Sequence, residues 1–164
     1  MNLAILNRDI QDFISANLNA DITSILFKGT PFDAVETRDI IEQIEAKKRC
    51  RKKLPTWFHA ENIYYPNKLN IEQTSSEITA KYKAELISGE SVIDLTGGFG
   101  VDCYYFSKRI KQVIHCEVNS NLSEIVGHNY KQLEVSNIKT KAINGIEYLK
   151  SNNKTFDWIY IDPS

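Results

Sequence analysis

The stretch that most constrains this chain is Ser91 to Asp102, SVIDLTGGFGVD. Val92 and Ile93 are β-branched and run straight into a turn, which predicts the end of a buried strand closed by Asp94. Thr96, Gly97, Gly98, Phe99 and Gly100 make a tight loop, and helical spacing resumes from Val101 to Ile110. Glycines at 97, 98 and 100 permit positive φ and leave bare backbone N–H groups open to a ligand. The start of the next helix adds the positive end of its dipole. A second apolar run, Val113-Ile114-His115-Cys116, then ends in Glu117. An acid roughly 20 residues beyond the first strand, at the tip of the second, is where a ribose hydroxyl pair is gripped. Loop and acid together point to a nucleoside cofactor.

The loop departs from the dinucleotide fingerprint G-x-G-x-x-G. Gly98 and Gly100 fit its first two glycines, but the third position is Cys103. Asp94-Leu95-Thr96-Gly97-Gly98-Phe99-Gly100 instead resembles motif I of class I S-adenosylmethionine methyltransferases, with Thr96 where the commonest form has glycine. The resemblance continues through Glu117-Val118-Asn119, His128-Asn129 and Asn137 to Ile161-Asp162-Pro163, covering roughly residues 70 to 164. That order is similar to the RNA-modifying branch, and to a bacterial family in which such a domain precedes a THUMP-like RNA-binding domain. It implies an α/β fold with a Rossmann-like parallel sheet, S-adenosyl-L-methionine as cofactor, and methylation of an RNA base.

The resemblance also assigns roles. Thr96, Gly97, Gly98, Phe99, Gly100 and Val118 would line the cofactor, and Glu117 would take its ribose. Asp94 would hold the loop through backbone N–H groups and reach the cofactor's ammonium directly or through water. Asn144 stands where the family commonly has an acid facing adenine; its other reading is a plain turn residue before Gly145. Thr74 and Ser75 would offer hydroxyls to the methionine carboxylate, although Thr74 with Glu77 also reads as a helix capping box. Asp162-Pro163 would line the target-base pocket and orient or deprotonate an amine, or position a carbon target. Ser164 replaces the second proline of many such enzymes, which leaves the target atom open.

Composition narrows the class. The 164 residues are 42% apolar and 25% charged with a net charge of −1, so global electrostatics names no partner. Cys50, Cys103 and Cys116 are odd in number and lack CxxC spacing, so neither a metal site nor a disulfide framework is expected. Arg8 and Asp9 interrupt any signal-peptide core, and no run reaches membrane-spanning length. A cytoplasmic protein without membrane contact is the expectation.

Residues 1–70 read as a helical region preceding the partial cofactor domain at 71–164. Leu6, Ile10, Phe13, Ile14 and Leu18 form one stripe, and a short helix with Ile22, Ile25 and Leu26 ends at Gly29. Thr37 is the expected cap of a third helix carrying Ile40, Ile41 and Ile44, stopped by Leu54-Pro55. Its end holds Lys47, Lys48, Arg49, Arg51, Lys52 and Lys53, followed by Trp57 and further rings. Cations beside stackable rings suit single-stranded RNA, while a solvated helix end complementing the dipole is the plainer reading. Residues 60 to 70 read as a loop. A helix over about 75–88 should bury Ile78, Tyr82, Leu86 and Ile87.

Strands are expected at 111–117, 138–143 and 156–161, with helices between them, hence a parallel sheet; the resemblance to class I methyltransferases implies the order 3-2-1-4. Strand four would then be an apolar edge. The chain is accordingly expected to be part of a longer protein, which alone would self-associate along that strand or leave it disordered, and would not methylate. Two other functions keep the same loop. One is a methyltransferase acting on DNA or a small molecule; the other is a non-catalytic RNA- or cofactor-binding module.

Overall fold

The computed structural model describes residues 1–163, so Ser164 lies outside the described residues. The chain forms two compact units, Met1–Glu72 and Gln73–Ser164.

The first unit is helical: α1 (Arg8–Ala16), α2 (Ile22–Lys28), α3 (Thr37–Lys53), α4 (Pro55–His59) and α5 (Lys68–Gln73) follow a short 3-10 turn. Ile10 and Ile14 of α1 meet Ile40, Ile41 and Ile44 of α3 in one core with Ile5, Ile25 and Val35. These are the stripes that the helical period selects. Pro55 ends α3 and opens α4 at its first position, where a missing N–H costs nothing. Thr37 opens α3 instead of capping it, and its hydroxyl meets that of Thr30 at 3.4 Å. The segment read as a loop up to residue 70 already turns into α5.

Trp57 requires a correction. Its ring is fully buried, so it cannot stack on a base. Gln43 explains why this part of the unit is closed. Its amide accepts from Tyr65 N at 2.9 Å and donates to Tyr65 O at 2.6 Å, while the Tyr65 hydroxyl donates to Trp57 O at 2.8 Å.

The second unit runs α6 (Glu77–Glu85), β1 (Ser91–Asp94), α7 (Val101–Phe106), β2 (Gln112–Cys116), α8 (Ser120–Gln132), β3 (Ile138–Lys141), α9 (Gly145–Ser151) and β4 (Trp158–Tyr160). All neighbours are parallel and the order is β3-β2-β1-β4, as expected. Parallel neighbours need crossover connections, and the helices supply them. Cys103 of α7 and Tyr130 of α8 meet Asp94 and His115 on one face of the sheet. Tyr148 and Leu149 of α9 pack on Ile93, Ile114 and Cys116 on the other. Asp157 staples the start of β4 to the start of β1, its Oδ2 accepting from Glu90 N at 2.8 Å and Ser91 N at 2.9 Å.

Helix α6 is shorter than expected and shows its other face. Ser76, not Thr74, caps it by accepting from Thr79 N at 3.2 Å. Glu77, Ala80 and Ala84 are buried, whereas Ile78, Tyr82 and Leu86 are exposed. Both stripes have helical spacing, but the alanines let α6 approach α7 closely, and Glu77 Oε2 takes the buried Tyr105 hydroxyl at 2.6 Å. No helix among the described residues is long and apolar enough to cross a membrane.

Trp57→Ala is expected to destabilise the protein by about 3–5 kcal/mol, read as a lower urea midpoint by circular dichroism. An unchanged midpoint would return this ring to the surface.

Candidate active site

Parallel strands open their carboxyl ends on one side, where α/β folds bind ligands. There the loop after β1 is held from two directions. Gly97 N donates to Cys116 O at 2.8 Å, and Gly98 N donates to Glu117 Oε2 at 3.0 Å. Beneath, the His115 ring fills the space a side chain at Gly97 would need: a Cβ there would lie 2.4 Å from Nε2. Nε2 lies 3.2 Å from Gly98 O, and because a carbonyl only accepts, Nε2 carries the hydrogen. Nδ1 is buried without a hydrogen-bond partner among the described residues, and burial holds the ring below the ordinary histidine range, toward its neutral form. Tyr130 donates to Gly100 O at 2.8 Å and blocks any side chain at Gly100 in the same way.

The upper face of the loop is open. A Cβ at Gly98, where φ is +52°, would meet only Thr96 O at 3.7 Å. A flat ligand can therefore lie against this backbone, with the Glu117 carboxylate beside it. Glu117 Oε1 also accepts from Asn119 N at 2.7 Å, and Val118 next to it is exposed. The Phe99 side chain is buried, so that residue offers a ligand its backbone alone. Gly145 packs hard on Leu95, bringing the start of α9 to the end of β1. Asn144 caps α9, its Oδ1 accepting from Ile146 N and Glu147 N, which leaves its N–H groups for a ligand.

Asp94 lies under the loop, 2% exposed. Its Oδ1 accepts from Thr96 N at 2.9 Å and Thr96 Oγ1 at 3.2 Å, and its Oδ2 from the Cys103 thiol at 3.4 Å. Burial outweighs these bonds and pushes its carboxyl up to about 7. Thr96 Oγ1 in turn accepts from Asp162 N at 2.8 Å. The threonine that replaces the usual glycine thus ties Asp94 to the segment leaving β4.

A cluster that the sequence reading missed surrounds Lys83 of α6. Its ammonium donates to Ser75 Oγ and Asp162 Oδ2, each at 2.9 Å, and also to the Tyr160 hydroxyl. Asp102 Oδ2 stands 3.3 Å away and takes the Ser75 hydroxyl at 2.9 Å. Burial opposes the charge on Lys83, but the bond to Asp162 and the Asp102 carboxylate outweigh it and hold the ammonium above the ordinary lysine range. The same bond holds Asp162 below the ordinary carboxylate range. Thr74 is half-buried at the approach to α6. Nothing in the local sequence marks Lys83, which looks like any lysine of an amphipathic helix.

The basic run in the first unit does not form one surface. Lys47 is half-buried and donates to Ser15 Oγ at 2.9 Å, in a groove of about 550 Å³ shared with Arg8, Gln11, Phe58 and His59. Arg49 pairs with Glu72 at 2.6 Å, and Lys53 donates to Glu72 O at 2.7 Å. Arg51 lies over the Phe58 ring, and Lys48 and Lys52 are exposed. Successive helical residues turn by about 100°, so consecutive cations cannot all face one way.

Residues 66–164 match the family described as Conserved hypothetical protein 95. The chain belongs to that family. This member is also similar to a solved structure from Porphyromonas gingivalis W83, described as a candidate methyltransferase, at 30% identity and a TM-score of 0.78. The likeness covers 95% of this chain but only 40% of the other, so the chain spans well under half of that relative. An rRNA methylase from Streptococcus thermophilus aligns at 17% identity over 50% of each chain, with a TM-score of 0.43. A candidate RNA methyltransferase from Pyrococcus horikoshii aligns at 19% identity over 71% of this chain and 60% of its own, also at 0.43. Both are too remote to bear on function. No curated protein matches. The second unit of this family member has the Rossmann-like α/β methyltransferase fold.

Folding raises the Asp94 carboxyl from an ordinary value of 3.8 to about 7. Its ionisation therefore opposes folding, with no effect below about pH 4 and full effect above about pH 7. Asp94→Asn keeps the acceptor for Thr96 without the charge. Its urea midpoint should rise relative to the parent's between pH 4 and pH 8; a constant difference would mean an ordinary carboxyl.

Proposed function

We propose that this chain is the S-adenosyl-L-methionine-binding part of a methyltransferase that modifies a base in RNA. The observation that carries the reading is the meeting of Glu117 with Gly98. It places a carboxylate with ribose-binding chemistry beside an open stretch of glycine backbone, at the carboxyl ends of two adjacent parallel strands. In this reading Gly97 to Gly100 carry the cofactor, Glu117 holds its ribose, Val118 and Asn144 border adenine, and Thr74 and Ser75 lie toward the methionine end. When bound, the cofactor supplies a methyl group already activated on a sulfonium, so the protein has mainly to align two reactants.

Asp162 and Pro163 take the target side. Lys83 keeps Asp162 ionised, so this carboxylate accepts an N–H from an amine target or positions a carbon target. Thr96 holds the backbone of the same residue, which fixes the approach of the target to the loop. RNA is the favoured substrate because the end of α3 still presents Lys48, Arg51 and Lys52 to a phosphate backbone. The resemblance to the family with a THUMP-like domain assigns further RNA contacts to such a domain in the whole protein. Incubating the full-length protein with labelled cofactor and total RNA, then mapping the labelled nucleoside, tests the activity; label on DNA alone would displace the RNA reading.

Glu117→Ala should weaken S-adenosyl-L-methionine binding by roughly 1–3 kcal/mol, the cost of losing a charge-assisted acceptor. Calorimetry on the parent and the variant measures it, and equal affinities would remove Glu117 from the site. With about three exposed cations engaged, the log–log salt slope for single-stranded RNA should lie near −2. Replacing Lys48 and Lys52 with glutamine should more than halve it. An unaltered slope would leave these residues as solvated surface.

A further inference from the structure

We infer that Lys83 is the residue that receives the carboxylate of the cofactor's methionine end, with Ser75 beside it. The inference rests on the cofactor reading above and names the part of that site which no motif marks. An ammonium has three hydrogens, yet Ser75 Oγ, Asp162 Oδ2, Asp102 Oδ2 and the Tyr160 hydroxyl all stand within reach of Lys83 Nζ. One partner is always surplus and is replaced at low cost. The Lys83 side chain keeps 23% of its surface exposed, so a ligand atom can reach it.

The charges of the cluster complement an amino-acid end. Asp102 and Asp162 bring two negative charges against the single positive charge of Lys83, with two hydroxyls between them. A zwitterionic ligand adds one charge of each sign: its carboxylate matches Lys83 and Ser75, and its ammonium matches the two aspartates. The place fits as well. Asp102 stands in the first turn of α7 directly after the glycine loop, and Asp162 leaves β4 beside β1. The cluster therefore sits at the strand ends where the two chain directions diverge, tied to the loop through Asp162 N and Thr96 Oγ1.

Two ligands isolate this contact. S-Adenosyl-L-homocysteine carries the amino-acid end, whereas 5′-methylthioadenosine has the same nucleoside and thioether sulfur without it. Calorimetry on the full chain with Lys83→Met should show homocysteine-ligand affinity lowered roughly 10–100-fold, with methylthioadenosine affinity unchanged. The second measurement also reports that the variant is folded. Lys83→Arg should recover most of the loss. Unchanged affinity for S-adenosyl-L-homocysteine in Lys83→Met overturns the inference, and so does an equal loss for both ligands in both variants, which would make Lys83 a strut for the end of β4. A parent chain that binds neither ligand overturns the cofactor reading itself.

Discussion

The ring of His115 occupies the volume that a side chain at Gly97 would need, and the geometry of the site follows from that fit. Alternation along a strand puts residues two apart on the same face. The strand that presses His115 up against the loop therefore also presents Glu117 to it two residues later. One strand thus supports the glycine backbone from below and offers it a carboxylate at the side. Tyr130 repeats the arrangement at Gly100, so two of the three glycines in the loop are required by the protein's own packing. At Gly98, by contrast, a side chain would meet Thr96 O at ordinary van der Waals distance and no close atom among the described residues. The openness of the loop is local, and it is made possible by close packing immediately underneath.

Electrostatics divides the site in the same way. The groups beneath the loop are held toward neutrality: burial pushes the Asp94 carboxyl up to about 7 and holds His115 toward its neutral form. The groups at its rim are held in their charged forms, Lys83 and Asp162 each stabilising the other. A cationic ligand above the loop would draw Asp94 toward its carboxylate form, since a nearby opposite charge favours ionisation. Thr96 links the two regions, its hydroxyl donating to Asp94 and accepting from the backbone of Asp162. A glycine at that position would cost Asp94 the hydroxyl bond, leaving it the backbone N–H and the Cys103 thiol, and would leave the segment after β4 without its tie.

In the helical unit the same kind of competition decides which charges remain available. Lys47, Arg49 and Lys53 are drawn into contacts with Ser15 and Glu72, and Arg51 rests on a ring. Such contacts add little stability at a surface, but they orient long side chains away from a common plane. A run of like charges in sequence is therefore a poor measure of a charged surface on a helix. The aromatic residue nearest that run, Trp57, fills the core instead, because α4 starts at Pro55 and turns its first ring inward.

Local pattern carried the fold. Strand after helix at short spacing, glycine after Asp94 and Pro55 after α3 each act through neighbours in the chain, so the four strands, their parallel direction and the meeting of Glu117 with the loop were legible in the sequence, while the order of the strands followed from the family resemblance. What depended on distant partners was not. Ile78, Tyr82 and Leu86 make as good a stripe as Glu77, Ala80 and Ala84, and only the approach of α7 selects the second. Thr74 and Ser76 are both chemically fit to cap α6, and the entry of the chain chooses Ser76. Lys83, Asp102 and the Tyr160–Asp162 pair lie far apart in sequence and become one cluster only when β4 inserts beside β1. By itself the sequence determined the elements and their order, because backbone preferences and hydrophobic periods act over a few residues. Tertiary structure decided which side chains share a charge, because a Coulomb contact depends on distance in space and leaves no period in the chain.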